Sequence, residues 1–225
     1  MKKTLLGALA LASCTLIAHA ADPDPALSSK TQQLGYSIGL QMGASLRQSG
    51  MAADMDALVL GLKDALSGRE PRMSASAVRE AILIGKTEAD QRHAGQAAAN
   101  LHAGERFLAD NGKQPGVITT ASGLQYKVLT AGTGRKPTLD SQVTTHYTGT
   151  LRDGTEFDSS RARGAPATFT VNGVIEGWKE ALPLMSEGAR WLLYIPSNLA
   201  YASEGVGRIG PNEVLIFDVE LLKVE

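Results

Sequence analysis

Tyr147, Phe157, Phe169, Trp178, Tyr201 and Phe217 are more than half of the aromatic side chains in a chain that is only 5% Phe, Trp and Tyr. They share no single helical or strand period and fall on several different elements, so they read as the walls of a pocket and not as a stripe. Taken singly, each has an ordinary explanation. Trp178 or Phe217 would be packed core, Tyr201 a surface hydroxyl, and Asp158 beside Ser159 and Ser160 a turn former. Together they describe a pocket.

None of the usual bond-breaking arrangements accompanies that pocket. No G-x-S-x-G elbow is present. The literal G-x-G-x-x-G of Gly205, Gly207 and Gly210 is followed by Pro211 and a strand, whereas a dinucleotide fingerprint follows a strand and opens a helix. Gly132-Thr133-Gly134-Arg135-Lys136 is too short for a phosphate loop, is followed by Pro137, and reads as a turn. His93 and His102 on a polar helix and His146 in a strand have no partners at ligand spacing, so neither a metal nor a cofactor is expected.

The N-terminus has the parts of a secretory signal peptide over residues 1–20: Lys2 and Lys3, an apolar run from Leu5 to Ile17, then Ala18, His19 and Ala20, with cleavage expected after Ala20. The run is shorter than the roughly 20 residues that span a bilayer, so the mature chain is expected to have no transmembrane segment. A competing reading takes Leu11-Ala12-Ser13-Cys14 as a lipobox that would anchor Cys14 in the outer membrane. With cleavage after Ala20 the single cysteine is lost, which leaves neither a disulfide nor a cysteine-bound metal in an oxidising compartment. The chain carries 22 Lys and Arg against 23 Asp and Glu, and losing Lys2 and Lys3 takes the formal charge from −1 to about −3. That balance offers no footprint for nucleic acid or anionic lipid. The expected setting is the periplasm, and the expected partner is another protein.

The pattern changes near position 112, dividing the mature chain into an all-helical part over 21–112 and a strand-rich part over 113–225. Ser28 or Ser29 is a plausible cap for a helix ending near Ser49 and Gly50, Asp54 or Asp56 opens a second that closes at Gly68, and Ser74 caps a third that runs to about Asn111 before Gly112 and Pro115. The third would be a rod about 55 Å long. From Thr87 to His102 it is polar almost all round, as in helices that bridge domains through solvent. Gly35, Gly39 and Gly43 recur every fourth residue, which fits close approach of another helix. The apolar residues of these helices, Leu34, Ile38, Leu40, Met55, Ile82 and Leu83 among them, exceed what so small a unit buries alone, so dimerisation is expected.

After Gly112 the sequence reads as strands and turns. Gly123–Leu129 and Val143–Leu151 are strands, and Asp153-Gly154 is a hairpin turn. Leu215, Phe217, Val219 and Leu221 give the last strand one apolar face. Between them Trp178, Ala181, Leu182 and Met185 have helical spacing over Glu176–Met185, which puts Trp178 under an antiparallel sheet.

The phrases VTTHYTGTLRDGTEFDSS, VIEGWKEALPLM, NLAYASEG and EVLIFDVELLKVE, in this order, resemble the FKBP-type peptidyl-prolyl cis-trans isomerases over approximately Gly116 to Glu225. The helical half is similar to the dimerisation segment of the macrophage infectivity potentiator subgroup. The resemblance implies an α+β chain: an all-helical dimerisation domain with a long linker helix, then an antiparallel half-barrel wrapped round one short helix. It also implies a prolyl cup lined by Tyr147, Phe157, Val174, Ile175, Trp178, Tyr201, Ile209 and Phe217. Trp178 would be the floor and Phe169 would lie beside it. Asp158, the Tyr201 hydroxyl and the Ile175 N–H would bind the peptide by positioning it, not by proton transfer.

Three departures from the family pattern bear on substrate preference, macrolide affinity and rate. Ala167 stands where many members have an aromatic residue, the loop Ser203–Ile209 lacks an aromatic or histidine at the rim, and Tyr201-Ala202 replaces a common Tyr-Gly.

The chemistry agrees with such a cup. An X-Pro bond isomerises over about 18–20 kcal/mol because amide resonance is lost as the bond twists. The twisted amide is less polar than the planar one, so a dry apolar site favours the transition state. The expected activity is prolyl isomerisation in unfolded or partly folded exported proteins, by a homodimer whose two domains grip one client, with macrolides as an inhibitor class. The rival reading is a dimeric chaperone or surface factor whose prolyl cup is vestigial.

Overall fold

The computed structural model describes residues 24–225. The expected signal peptide, its cleavage site and the Cys14 alternative lie outside these residues. The chain falls into two compact units, one ending at Ser49 and one running from Gly50 to Glu225.

The first unit holds helix α1, Lys30–Ser49. Its start is a reciprocal cap: the Gln32 N–H donates to Ser29 Oγ at 3.2 Å, and the Ser29 N–H donates back to Gln32 Oε1 at 2.9 Å, which satisfies two of the amides a helix start leaves open. Gly50, at φ +66°, supplies the left-handed stop. No residue of α1 is buried.

In the second unit, α2 (Met55–Leu66) and α3 (Ala75–Asn111) begin at Asp54 and Ser74. Those side chains accept from the Ala57 and Ala77 N–H groups at 2.8 and 3.2 Å, as N-caps do. Asp64 near the end of α2 pairs with Arg72 at 2.6 Å across the connecting turn. Helix α3 ends at Gly112 with φ −62°, so this glycine serves close packing and not a left-handed cap. The expectation of a solvent-bridging rod is met only in part. Ala89 alone is buried between Thr87 and His102, yet from Ala97 onward the helix bonds to the sheet domain through Asn100, Asn111 and the Leu108 carbonyl.

The sheet domain contains β1 (Val117–Thr119), β2 (Gln125–Thr130), β3 (Gln142–Thr150), β4 (Glu156–Ser159), β5 (Ala167–Thr170), β6 (Arg190–Ile195) and β7 (Leu215–Val224). All pairings are antiparallel, in the order β1-β2-β6-β7-β3-β4, with β5 also on β3. On β7, Leu215, Phe217, Val219 and Leu221 are buried as their alternation predicts. A register shift opposite Thr144 and Thr145 then leaves both Leu222 and Lys223 exposed and returns Val224 to the core, the re-aiming expected of a β-bulge.

Helix α4 is shorter than its apolar spacing predicts. It spans Glu176–Ala181 and continues as a 3-10 turn, Leu182–Leu184, because Pro183 has no N–H to extend the ladder. The tighter turn still leaves Trp178, Ala181, Leu182 and Met185 buried. They form one core with Leu124, Val143, Leu193, Ile195 and Val219.

Candidate functional site

The residues expected at the cup come from six separate elements. Strand β3 supplies Tyr147, β4 supplies Phe157 and Asp158, and β5 supplies Phe169. The entry to α4 gives Val174, Ile175 and Trp178, the loop after β6 gives Tyr201 and Ile209, and β7 gives Phe217. All of them line one cleft of about 760 Å³.

Successive strand residues normally face opposite sides, yet Phe157 and Asp158 both reach this cleft. The β3–β4 register explains it: Gly149 opposes Asp158 and Thr150 opposes Glu156, so Phe157 is an extra residue in a bulge. Gly149 makes room behind them. A Cβ there would come within 2.7 Å of the Phe157 ring and 2.8 Å of Phe217.

Trp178 is 4% exposed and forms the floor. Tyr147, Phe169 and Phe217 stand edge-on to it, with ring centroids 5.4, 5.9 and 5.3 Å away and interplanar angles of 89°, 82° and 80°. Such edge-to-face packing matches positive ring edges with negative faces and holds the wall rigid. The Trp178 indole N–H is buried with no partner among the described residues.

The polar groups sit to one side of this floor. The Tyr147 hydroxyl donates to Asp158 at 2.5 Å. Arg163 donates one arm to the other Asp158 oxygen and the second to the Tyr147 hydroxyl at 2.8 Å, with its guanidinium 5.6 Å from the Tyr147 ring centre. Burial works against the Asp158 charge, but the bonds from Tyr147 and Arg163 outweigh it and hold the carboxyl below its usual range. Burial, then the bond to Asp158, raises the Tyr147 phenol. Asp158 is thus a fixed carboxylate and Tyr147 a fixed hydroxyl.

Tyr201 stands at the rim, 37% exposed. The Ile175 N–H, just before α4, donates to no group among the described residues. Ala167 is half-buried on β5 and is not among the residues lining the cleft.

Sequence reasoning missed Arg163, Gly173, Val206, Gly207 and Arg208. Arg163 reaches Asp158 only because the intervening turn, closed by Ala165 N–H on Ser160 O and Gly164 N–H on Arg161 O, folds back. Val206 and Ile209 exchange two backbone hydrogen bonds at 2.9 and 2.8 Å, with Gly207 at φ +57° between them. That tight turn was the readable signal for a folded rim.

Among the described residues no group of His, Cys, Asp and Glu is arranged for a metal, and no helix is long and apolar enough to cross a membrane.

Residues 133–222 match the FKBP-type peptidyl-prolyl cis-trans isomerase family, and residues 31–128 match the domain amino-terminal to FKBP-type peptidyl-prolyl isomerase. The outer membrane protein MIP of Legionella longbeachae is 39% identical over 100% of this chain and 99% of its own length. The FKBP-type 22 kDa peptidyl-prolyl cis-trans isomerase of Escherichia coli K12 is 44% identical over 89% of this chain and 98% of its own. The crystal structure of FkpA from Escherichia coli covers 88% of this chain and 98% of that one, with a TM-score of 0.65 at 36% identity. The chain therefore belongs to the FKBP-type peptidyl-prolyl cis-trans isomerases, and it is a peptidyl-prolyl cis-trans isomerase.

Proposed function

We propose that catalysis takes place in the cleft over Trp178, on X-Pro bonds of exported proteins, by a dimer joined through the helical arm over 21–112, with 113–225 as the isomerase domain. The observation that carries the site is the edge-on aromatic wall round Trp178. It offers a proline ring a dry seat and leaves the twisting amide without the water that stabilises its planar form.

Each polar group then has a positioning role. The Ile175 N–H is free to hold a peptide carbonyl, and the Tyr201 hydroxyl stands at the rim to do the same. Asp158, locked by Tyr147 and Arg163, presents a fixed negative edge to the peptide. No proton needs to move, because twisting breaks no bond.

Dimerisation is supported by the apolar side chains the single chain leaves open. Leu34 is 61% exposed, Leu66 81% and Leu83 65%, more open apolar surface than scattered single residues would give. Export to the periplasm is supported by the signal pattern of residues 1–20, with lipidation at Cys14 as the alternative anchor. Two cups on one dimer raise the effective concentration of the second for a client held by the first, which is the basis for a chaperone contribution. Macrolides are the expected inhibitor class, with the rim setting their affinity.

The test is cis-trans exchange of a short X-Pro peptide, followed by NMR on the mature wild type, Asp158→Ala and Tyr201→Ala, with folding checked for each. Catalysis that falls at least tenfold in the variants, about the worth of one charge-assisted hydrogen bond, supports the cleft. Variants as active as wild type would place the chemistry elsewhere.

A further inference from the structure

The rim of the cleft is built from two parts of the chain. Residues 201–212 form a loop that carries Tyr201 and Ile209, and residues 202–208 are exposed except for Gly205. So thin a loop has little apolar contact of its own to order it. It is closed at its base by the Asn212 N–H donating to the Ala202 carbonyl at 2.7 Å.

That base is tied to the long helix. Asn100 Nδ2, on α3, donates to the Pro211 carbonyl at 2.8 Å, and Asn212 Nδ2 donates back to the Ala97 carbonyl at 3.1 Å. The two amides cross in opposite directions between neighbouring turns of helix and one end of the loop. One turn on, Gly104 is buried, and a Cβ there would stand 2.8 Å from Val214 Cγ2, so the helix can come this close only at a glycine. Asn212 also sits at φ +53°, a left-handed conformation that Asn tolerates better than most residues but that still needs local support.

We propose that Asn100 and Asn212 are positioning residues for the isomerase reaction. They form an amide clamp by which the last turns of α3 fix the rim that presents Tyr201 and Ile209. This rests on the cleft being the reaction site. A rim already ordered before the peptide arrives spares the complex that ordering cost, so the clamp acts on binding and leaves the twisting step alone. Neither residue touches the peptide. The clamp also makes the end of the helical arm part of the catalytic unit, although nothing in the alanine-rich sequence Gln96–His102 looks like a binding face.

The experiment uses the full mature chain as wild type, Asn100→Ala, Asn212→Gly and the double variant. Glycine at 212 keeps the left-handed backbone while removing the side chain. Saturation kinetics on a short X-Pro peptide, amide hydrogen exchange and the thermal midpoint are read together. Each single change should raise KM about fivefold with kcat within twofold, the size expected for one neutral hydrogen bond. The double variant should add little, because both bonds hold one loop. Exchange should quicken at 203–209 and stay unchanged in β3 and β7.

Unchanged KM and unchanged loop exchange in both single variants would overturn the clamp. So would a loss carried wholly in kcat. If Asn212→Gly does not fold, Asn100→Ala decides alone, since it adds no backbone strain on a helix surface. Tyr201→Ala separates the two readings: if it leaves catalysis intact while loop exchange still quickens in Asn100→Ala, the clamp orders the loop but the cleft assignment fails.

Discussion

The Tyr147 hydroxyl and the Asp158 carboxylate, on adjacent strands, are joined by a 2.5 Å hydrogen bond, and Arg163 bonds to both. This fixes their protonation as well as their position. The bonds from Tyr147 and Arg163 hold the Asp158 carboxyl below the usual carboxylate range against the burial that opposes its charge, and burial, then the bond to Asp158, pushes the Tyr147 phenol up, so neither titrates near neutrality. We predict a kcat/KM that is flat from about pH 5 to pH 9. Because the folded pKa of Asp158 is depressed, its contribution to stability is fully present above the unfolded value and is lost as pH falls through the folded one. In Arg163→Gln the acid limb should move to higher pH, because one of the two side-chain partners that hold the carboxyl down is lost. A bell centred near pH 7 in the wild type would contradict a positioning role.

Trp178→Phe is expected to fold, at a cost of about 1–2 kcal/mol from the smaller ring under the cup. The indole N–H has no partner among the described residues, so no hydrogen bond is lost with it. Denaturant unfolding measures the cost, and a loss above about 4 kcal/mol would mean that the N–H makes a bond the packing conceals.

Ala202 has φ +47° and is exposed, where a left-handed alanine costs roughly 1–2 kcal/mol. Glycine removes that strain and returns part of it as backbone entropy. Ala202→Gly should therefore stabilise the isomerase domain by about 0.5–1 kcal/mol, seen as a thermal midpoint roughly 2–4 °C higher. A lower midpoint would show that the methyl group makes a contact that outweighs the strain.

How much of this was legible depended on how local each signal was. The caps at Asp54 and Ser74 and the alternation of β7 could be read directly, because a side chain bonding its own helix start, or a period of two, needs no knowledge of the rest of the fold. The cup residues became legible through family spacing, since only a register such as Gly149 opposite Asp158 turns distant aromatics into one wall. The docking of α3 stayed hidden. It uses two asparagines and a glycine in place of an apolar stripe, and hydropathy patterns cannot see a contact of that kind. Arg163 was missed for a related reason, as its partners are chosen by the fold of a turn. The end of α4 at Ala181 was readable from Pro183, but the apolar spacing carried on through the 3-10 turn and masked the stop.

Ile38 lies in the middle of α1 and is 49% exposed in the single chain, with Leu34 one turn before it. If these residues are covered by a second copy, Ile38→Glu buries a carboxylate against apolar partners and should split the dimer, since an unpaired buried charge costs several kcal/mol. Sedimentation should then report a monomer. Catalysis on a short X-Pro peptide should stay within twofold of wild type, because that substrate fills one cup. Refolding of a proline-limited protein and suppression of its aggregation should both fall, since these need two cups on one client. A variant that is monomeric yet keeps full activity on the refolding protein would show that each cup works alone, and the paired arms would then have to serve something other than grip.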